Sequence, residues 1–127
     1  MLMKKILVLI SVSMLIFSLF SAPVQANETE TTNEMVKYAL IVSLAPSINN
    51  ALAEIYKDAS KGVPQWGGWE TEIINIKQLT GVGGIYEVTV RVHSYYGAHT
   101  GNGIDEITIR IAHDGQEVTD FKHIQDV

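Results

Sequence analysis

IYEVTVRVHSY (Ile85–Tyr95) alternates apolar and polar residues almost without fault. Tyr86, Val88, Val90 and Val92 fall on one side of an extended chain, and Glu87, Thr89, Arg91 and His93 on the other. Side chains alternate across a strand with a period of two, so this pattern predicts a half-buried strand with one wet face. DEITIRIA (Asp105–Ala112) repeats it, with Ile107, Ile109 and Ile111 set against Glu106, Thr108 and Arg110. Sheets wet on one side are antiparallel. Two further strands are predicted at Glu70–Gln78 and Val118–His123. Gly81-Val82-Gly83-Gly84 turns between the first pair, and Asp114-Gly115 supplies a type I′ hairpin signal between the last.

A helical segment precedes the strands. Thr31 and Glu34 have capping-box spacing, and Tyr38, Ile41, Ile48, Leu52 and Ile55 approximate a helical stripe. Pro46 lacks an amide donor and biases Ala45 away from helix, which predicts a kink or two helices meeting near Leu44 to Ser47. Ser60–Gly68 is a breaker-rich loop. The expected architecture is therefore α+β, a helical hairpin or Pro-kinked helix packed on a four-stranded antiparallel meander. Its expected core is Ile41, Leu44, Ile48, Leu52, Tyr86, Val88, Val90, Ile107, Ile109 and Phe121.

The N-terminus carries a different signal. Lys4 and Lys5 precede an apolar run at residues 6–20, and Ala22-Pro23-Val24-Gln25-Ala26 supplies small residues at a cleavage site. This is the order of a secretory signal peptide, with cleavage expected after Ala26. The run holds Ser11, Ser13 and Ser18 and falls short of the roughly 20 apolar residues of a spanning helix, so no stable membrane anchor is expected after cleavage. The expected organisation is a signal peptide at 1–26, a polar mobile tail at 27–33 and one domain at 34–127. The expected location is extracellular or associated with the cell wall.

Charge and cysteine narrow the chemistry. Two of the nine basic residues leave with the signal and all fourteen acidic ones stay, which leaves seven against fourteen and a net charge of −7. Nucleic-acid binders show a basic stripe, and this chain has none. Cysteine is absent, which excludes a thiol nucleophile, a lipidated cysteine and a disulfide framework. It also suits a host that exports proteins without oxidative folding, as many Gram-positive bacteria do. Asn27-Glu28-Thr29 matches a glycosylation sequon and reads as chance in a polar segment.

Candidate sites are sparse. His93-Ser-Tyr-Tyr-Gly-Ala-His-Thr-Gly-Asn-Gly-Ile-Asp105 reads as a connection between strands rich in chemistry-bearing residues. Two readings stand. In one, glycines shape a loop whose tyrosines, Tyr95 and Tyr96, cover a sheet edge. In the other, His93, His99 and Asp105 converge as a metal or acid–base cluster of a small hydrolase. Trp66 and Trp69 flank Gly67-Gly68 and either extend the core or stack on sugar rings. Gly81–Gly84 lacks the Lys and Ser/Thr of a P-loop, and no serine sits in G-x-S-x-G. The residues specify no catalyst and no cofactor. The expected role is a non-enzymatic binding module for an envelope or extracellular ligand.

Val88-Thr89-Val90, Gly97-Ala98-His99, Gly103–Ile111, Phe121-Lys122-His123 and the proline-broken Leu40–Pro46 together resemble DUF3888, an uncharacterised family of small exported proteins from Gram-positive spore-formers. The chain departs from that pattern at Thr100-Gly101-Asn102, where a proline-rich stretch is expected. The resemblance implies no activity; it singles out His99, Asp105 and His123 as positions of interest. The order of helix and meander is also similar to cystatin-like folds, a likeness of fold that carries no function by itself.

Overall fold

Alternation and the proline break produce the expected elements in the computed structural model, which describes residues 22–98 and 100–127. The apolar run at 6–20 and His99 lie outside the described residues. Helix α1 is Ala22–Ser43 and α2 is Ala45–Ile55. The strands are β1 Gln65–Trp66, β2 Glu72–Gln78, β3 Tyr86–Tyr96, β4 Thr100–Ala112 and β5 Gly115–Gln125, with a 3₁₀ turn at Gly68–Glu70. Lys37–Val127 forms one compact unit.

α1 starts before the expected capping box, so Thr31 lies inside a helix and not at its start. The polar stretch expected as a tail is helical, residues 28–33 are exposed, and the Thr32 hydroxyl donates to Glu28 O. The expected cleavage point after Ala26 falls in the first turns of this helix. Among the described residues no helix is long and apolar enough to cross a membrane.

The two helices meet at Leu44, as Pro46 requires. Pro46 occupies the first turn of α2, where its missing N–H has no intrahelical partner to lose. Ile48, Ala51, Leu52 and Ile55 then recur at helical spacing and turn one stripe of α2 to the sheet. The Gln116 amide donates to Ser43 O and its carbonyl accepts from Ser47 Oγ, so the interrupted helix is tied to the start of β5.

The sheet is an antiparallel meander, β2-β3-β4-β5, in which β3 pairs with β4 over nearly its whole length. It has five strands and not four, because β1 pairs with the far end of β3 (Gln65↔Tyr95, Trp66↔Ser94) on the edge that β2 occupies lower down. Val88, Val90, Val92, Ile107 and Ile109 face the helix and are fully buried against Leu44, Ile48, Leu52 and Tyr56. The opposite face is laced by Thr89 Oγ1···Thr108 Oγ1 and by Arg91, which donates to Glu106 at 2.8 Å and reaches Glu72 at 3.5 Å.

Two expected core residues are only partly covered. Tyr86 sits at the end of the sheet, half-buried, and its hydroxyl accepts from the Gly83 amide across the turn. Phe121 is opposite Ile107 on the helix side, yet it is 42% exposed, because β5 is an edge strand with one flank open. The last hairpin turns one residue earlier than expected. Ala112 pairs with Gly115, so His113-Asp114 are the central residues and Gly115, at φ +132°, resumes the ladder.

Candidate functional site

Where a loop is expected between His93 and Asp105, β3 and β4 continue and reduce the connection to residues 97–99. The consequence is decisive for the candidate cluster. His93 stands opposite Ile104 on the wet face, whereas Asp105 stands opposite Val92 on the helix face. The pleat therefore puts His93 and Asp105 on opposite sides of the sheet, and the two cannot act together. Among the described residues no three His, Asp or Glu side chains are grouped to hold a metal ion.

Asp105 is instead the centre of a different arrangement. Its side chain is fully buried, and both oxygens are engaged. Tyr56 Oη, from the C-cap position of α2, donates to Oδ2 at 2.8 Å, and His123 Nδ1 lies 2.6 Å from Oδ1. His123 Nε2 in turn lies 2.8 Å from Asp126 Oδ1. His123 reaches Asp105 by register, because it is the direct cross-strand partner of Asp105 on β5. Its ring also meets Tyr56 edge-on, with centroids 5.6 Å apart.

The electrostatics follow from those contacts. Both nitrogens of His123 face carboxylate oxygens, and only the imidazolium donates from both. Its pKa is raised from the ordinary histidine value, first by the bond to Asp105 and then by that to Asp126, against a smaller effect of burial. The Tyr56 hydroxyl is pushed up to about 12, chiefly by burial, with Asp105 adding to the rise. Tyr56 therefore remains a proton donor to Asp105 across the physiological range.

Ser94 is fully buried beside this network, and its Oγ has no hydrogen-bond partner. Gly103, its cross-strand neighbour, fits where any Cβ would lie 2.5 Å from Ser94 Oγ and 2.6 Å from Tyr56 Oη. The site is thus a close-packed polar knot. Next to it opens a basin of about 320 Å³ lined by Tyr56, Ala59, Ser60, Lys61, Tyr96, Asp126 and Val127.

The other candidates are scattered. Tyr96 lines the basin, donates its hydroxyl to Gly62 O at 2.6 Å and has the Lys61 ammonium over its ring. Tyr95 is buried. Trp66 is half-buried against the core, and its indole N–H donates to Asn49 Oδ1. Trp69 is 63% exposed. Of the positions singled out by resemblance, Asp105 and His123 come together. Tyr56, Ser94, Gly103 and Asp126 complete the arrangement and were not anticipated. Only the place of Tyr56 at the end of the helical stripe could have hinted at it.

A family model described as a protein of unknown function (DUF3888) matches residues 36–125, a span that contains Tyr56, Ser94, Gly103, Asp105 and His123. No curated protein and no solved structure matches the chain. The match covers more than half of the chain and includes both the helix break and the whole meander, so this protein belongs to the DUF3888 family.

Proposed function

We propose that this protein is exported and acts as a non-enzymatic binding module at the cell envelope or in the medium. Export rests on the N-terminal order of lysines, apolar run and small-residue cleavage site. The binding role rests on one observation above all. Asp105, the one charged side chain among the described residues that is fully buried, spends both oxygens on Tyr56 and His123. Groups so engaged hold a helix to a sheet, and both nitrogens of His123 are already taken by carboxylates. The basin beside them offers what a binder uses: two tyrosines, one cation and one exposed carboxylate around an open concavity.

Two measurements test this. Mass spectrometry of the protein recovered from the medium should find Asn27 as its first residue, and an uncleaved chain held in membranes would refute export after Ala26. Sedimentation of the purified protein with cell-wall and envelope fractions should show saturable binding that Tyr96→Ala or Lys61→Glu weakens at least tenfold. Absence of binding, together with turnover in a broad hydrolase screen, would overturn the binding role.

A further inference from the structure

The second strand carries a feature that its fold does not use. β2, EIINIKQ (Glu72–Gln78), pairs with β3 on one side and is an edge strand on the other. Edge strands usually carry blunting charges or stay short, since their free amides template association. Here Ile76 is 53% exposed and Ile74 and Leu79 are each 42% exposed along that edge. Leu79 N–H donates to Ile85 O, so antiparallel alternation turns the amide of Ile76 away from β3 and toward the open side.

We propose that β2 pairs with β2 of a second copy of this chain, antiparallel about a two-fold axis between Ile74 and Asn75, so that Glu72 of each copy meets Lys77 of the other.

The register is self-complementary, and the bulge makes it possible. A two-fold axis normal to a sheet pairs only residues that share a face. In an unbroken strand Glu72 and Lys77, five apart, would lie on opposite faces. The register of β2 on β3 shifts between Ile73 and Asn75, which leaves Ile74 as the extra residue. After that shift Glu72, opposite Arg91, and Lys77, opposite Glu87, both lie on the wet face. Ile73, opposite Val90, and Ile76, opposite Val88, both lie on the helix-covered face. In the dimer, then, two Glu72–Lys77 pairs form on one side and two Ile73–Ile76 pairs on the other.

The charges suit the partner. Lys77 makes no ion pair among the described residues, and the Glu72 carboxylate is 59% exposed with only a loose 3.5 Å contact to Arg91. Cross-strand pairs of opposite charge stabilise a ladder, and like charges placed opposite each other destabilise it. A closed two-fold interface also covers an edge that would otherwise recruit further chains.

Sedimentation equilibrium of the protein, purified from the expressing cells or their medium, tests the pairing. The protein should be dimeric at micromolar concentration. Lys77→Glu and Glu72→Lys each place like charges opposite one another and should each weaken the dimer at least tenfold. Both residues are exposed, and circular dichroism should show each variant still folded. An equimolar mixture of the two variants restores opposite charges at both ends of the register and should recover the dimer. A monomer at every concentration, a dimer that survives both single variants, or a mixture that stays monomeric would overturn the proposal.

Discussion

Tyr56 and Asp105 are joined by a buried hydrogen bond of 2.8 Å that closes the C-terminal end of α2 onto β4, 49 residues away. The helix is held at its other end by Ser47 and Gln116. These polar clamps flank the apolar stripe and fix where along the sheet the helix lies, which nondirectional packing alone does not do.

The first prediction follows from that bond. Tyr56→Phe keeps the ring but leaves Asp105 Oδ2 buried with no donor, and an unsatisfied buried acceptor costs about 1–3 kcal/mol. Urea denaturation should show this loss. A double-mutant cycle with Asp105→Ala should show the two residues to be coupled, by about 0.5 kcal/mol or more. Strict additivity would mean that the bond does not form in solution.

The second prediction concerns pH. The folded state raises the pKa of His123 through Asp105 and then Asp126, whereas the unfolded chain has an ordinary histidine at about 6.5. A group whose pKa is raised on folding contributes fully below the unfolded value and loses that contribution as pH rises through the folded one. Stability should therefore decline as pH rises above about 6.5. The effect is modest, since His123 is partly solvent-exposed and screened. His123→Gln should flatten the pH profile of the melting temperature over that window; an unchanged slope would assign the titration to another group.

The third prediction tests the two faces of the sheet. Ile109 is fully buried under α2, while Arg110 lies on the wet face between Glu87 and Glu117 in register. Ile109→Ala should cost about 2–5 kcal/mol, and Arg110→Ala no more than about 1 kcal/mol. The reverse ranking in chemical denaturation would mean that the faces are assigned the wrong way round.

How much of this was legible beforehand depends on whether a residue belongs to a period. Val88, Val90, Ile107 and Ile109 repeat every second position, and a slip of one residue would turn them all into water, so their faces could be read directly. Pro46 announced the helix break for an equally local reason. Single tertiary contacts leave no such trace. Tyr95-Tyr96 and the glycines at 101 and 103 have the composition of a loop, yet Gly103 sits in a strand, paired with Ser94, where Ser94 and Tyr56 leave no room for a Cβ. β1, two residues long, is too short to have a period at all. Asp105 and His123 were singled out by family likeness, but their meeting depends on a register shift in β5 at Thr119 that no local pattern encodes.

The fourth prediction uses that crowding. A Cβ at Gly103 would stand 2.5 Å from Ser94 Oγ, 2.5 Å from Val127 Cγ2 and 2.6 Å from Tyr56 Oη, and the bond to Asp105 holds the tyrosine in place. Gly103→Ala should therefore destabilise by about 1–3 kcal/mol, the usual cost of overpacking a filled interior. Ser94→Ala alone should be neutral or slightly stabilising, because it removes a buried hydroxyl that has no partner. Combining the two relieves one of the three close contacts, so the double variant should lose less than the sum of the singles, with Tyr56 and Val127 keeping the rescue partial. Thermal melts of the four proteins decide it. Strict additivity would place the Gly103 backbone away from Ser94 and dissolve the close packing on which the knot depends.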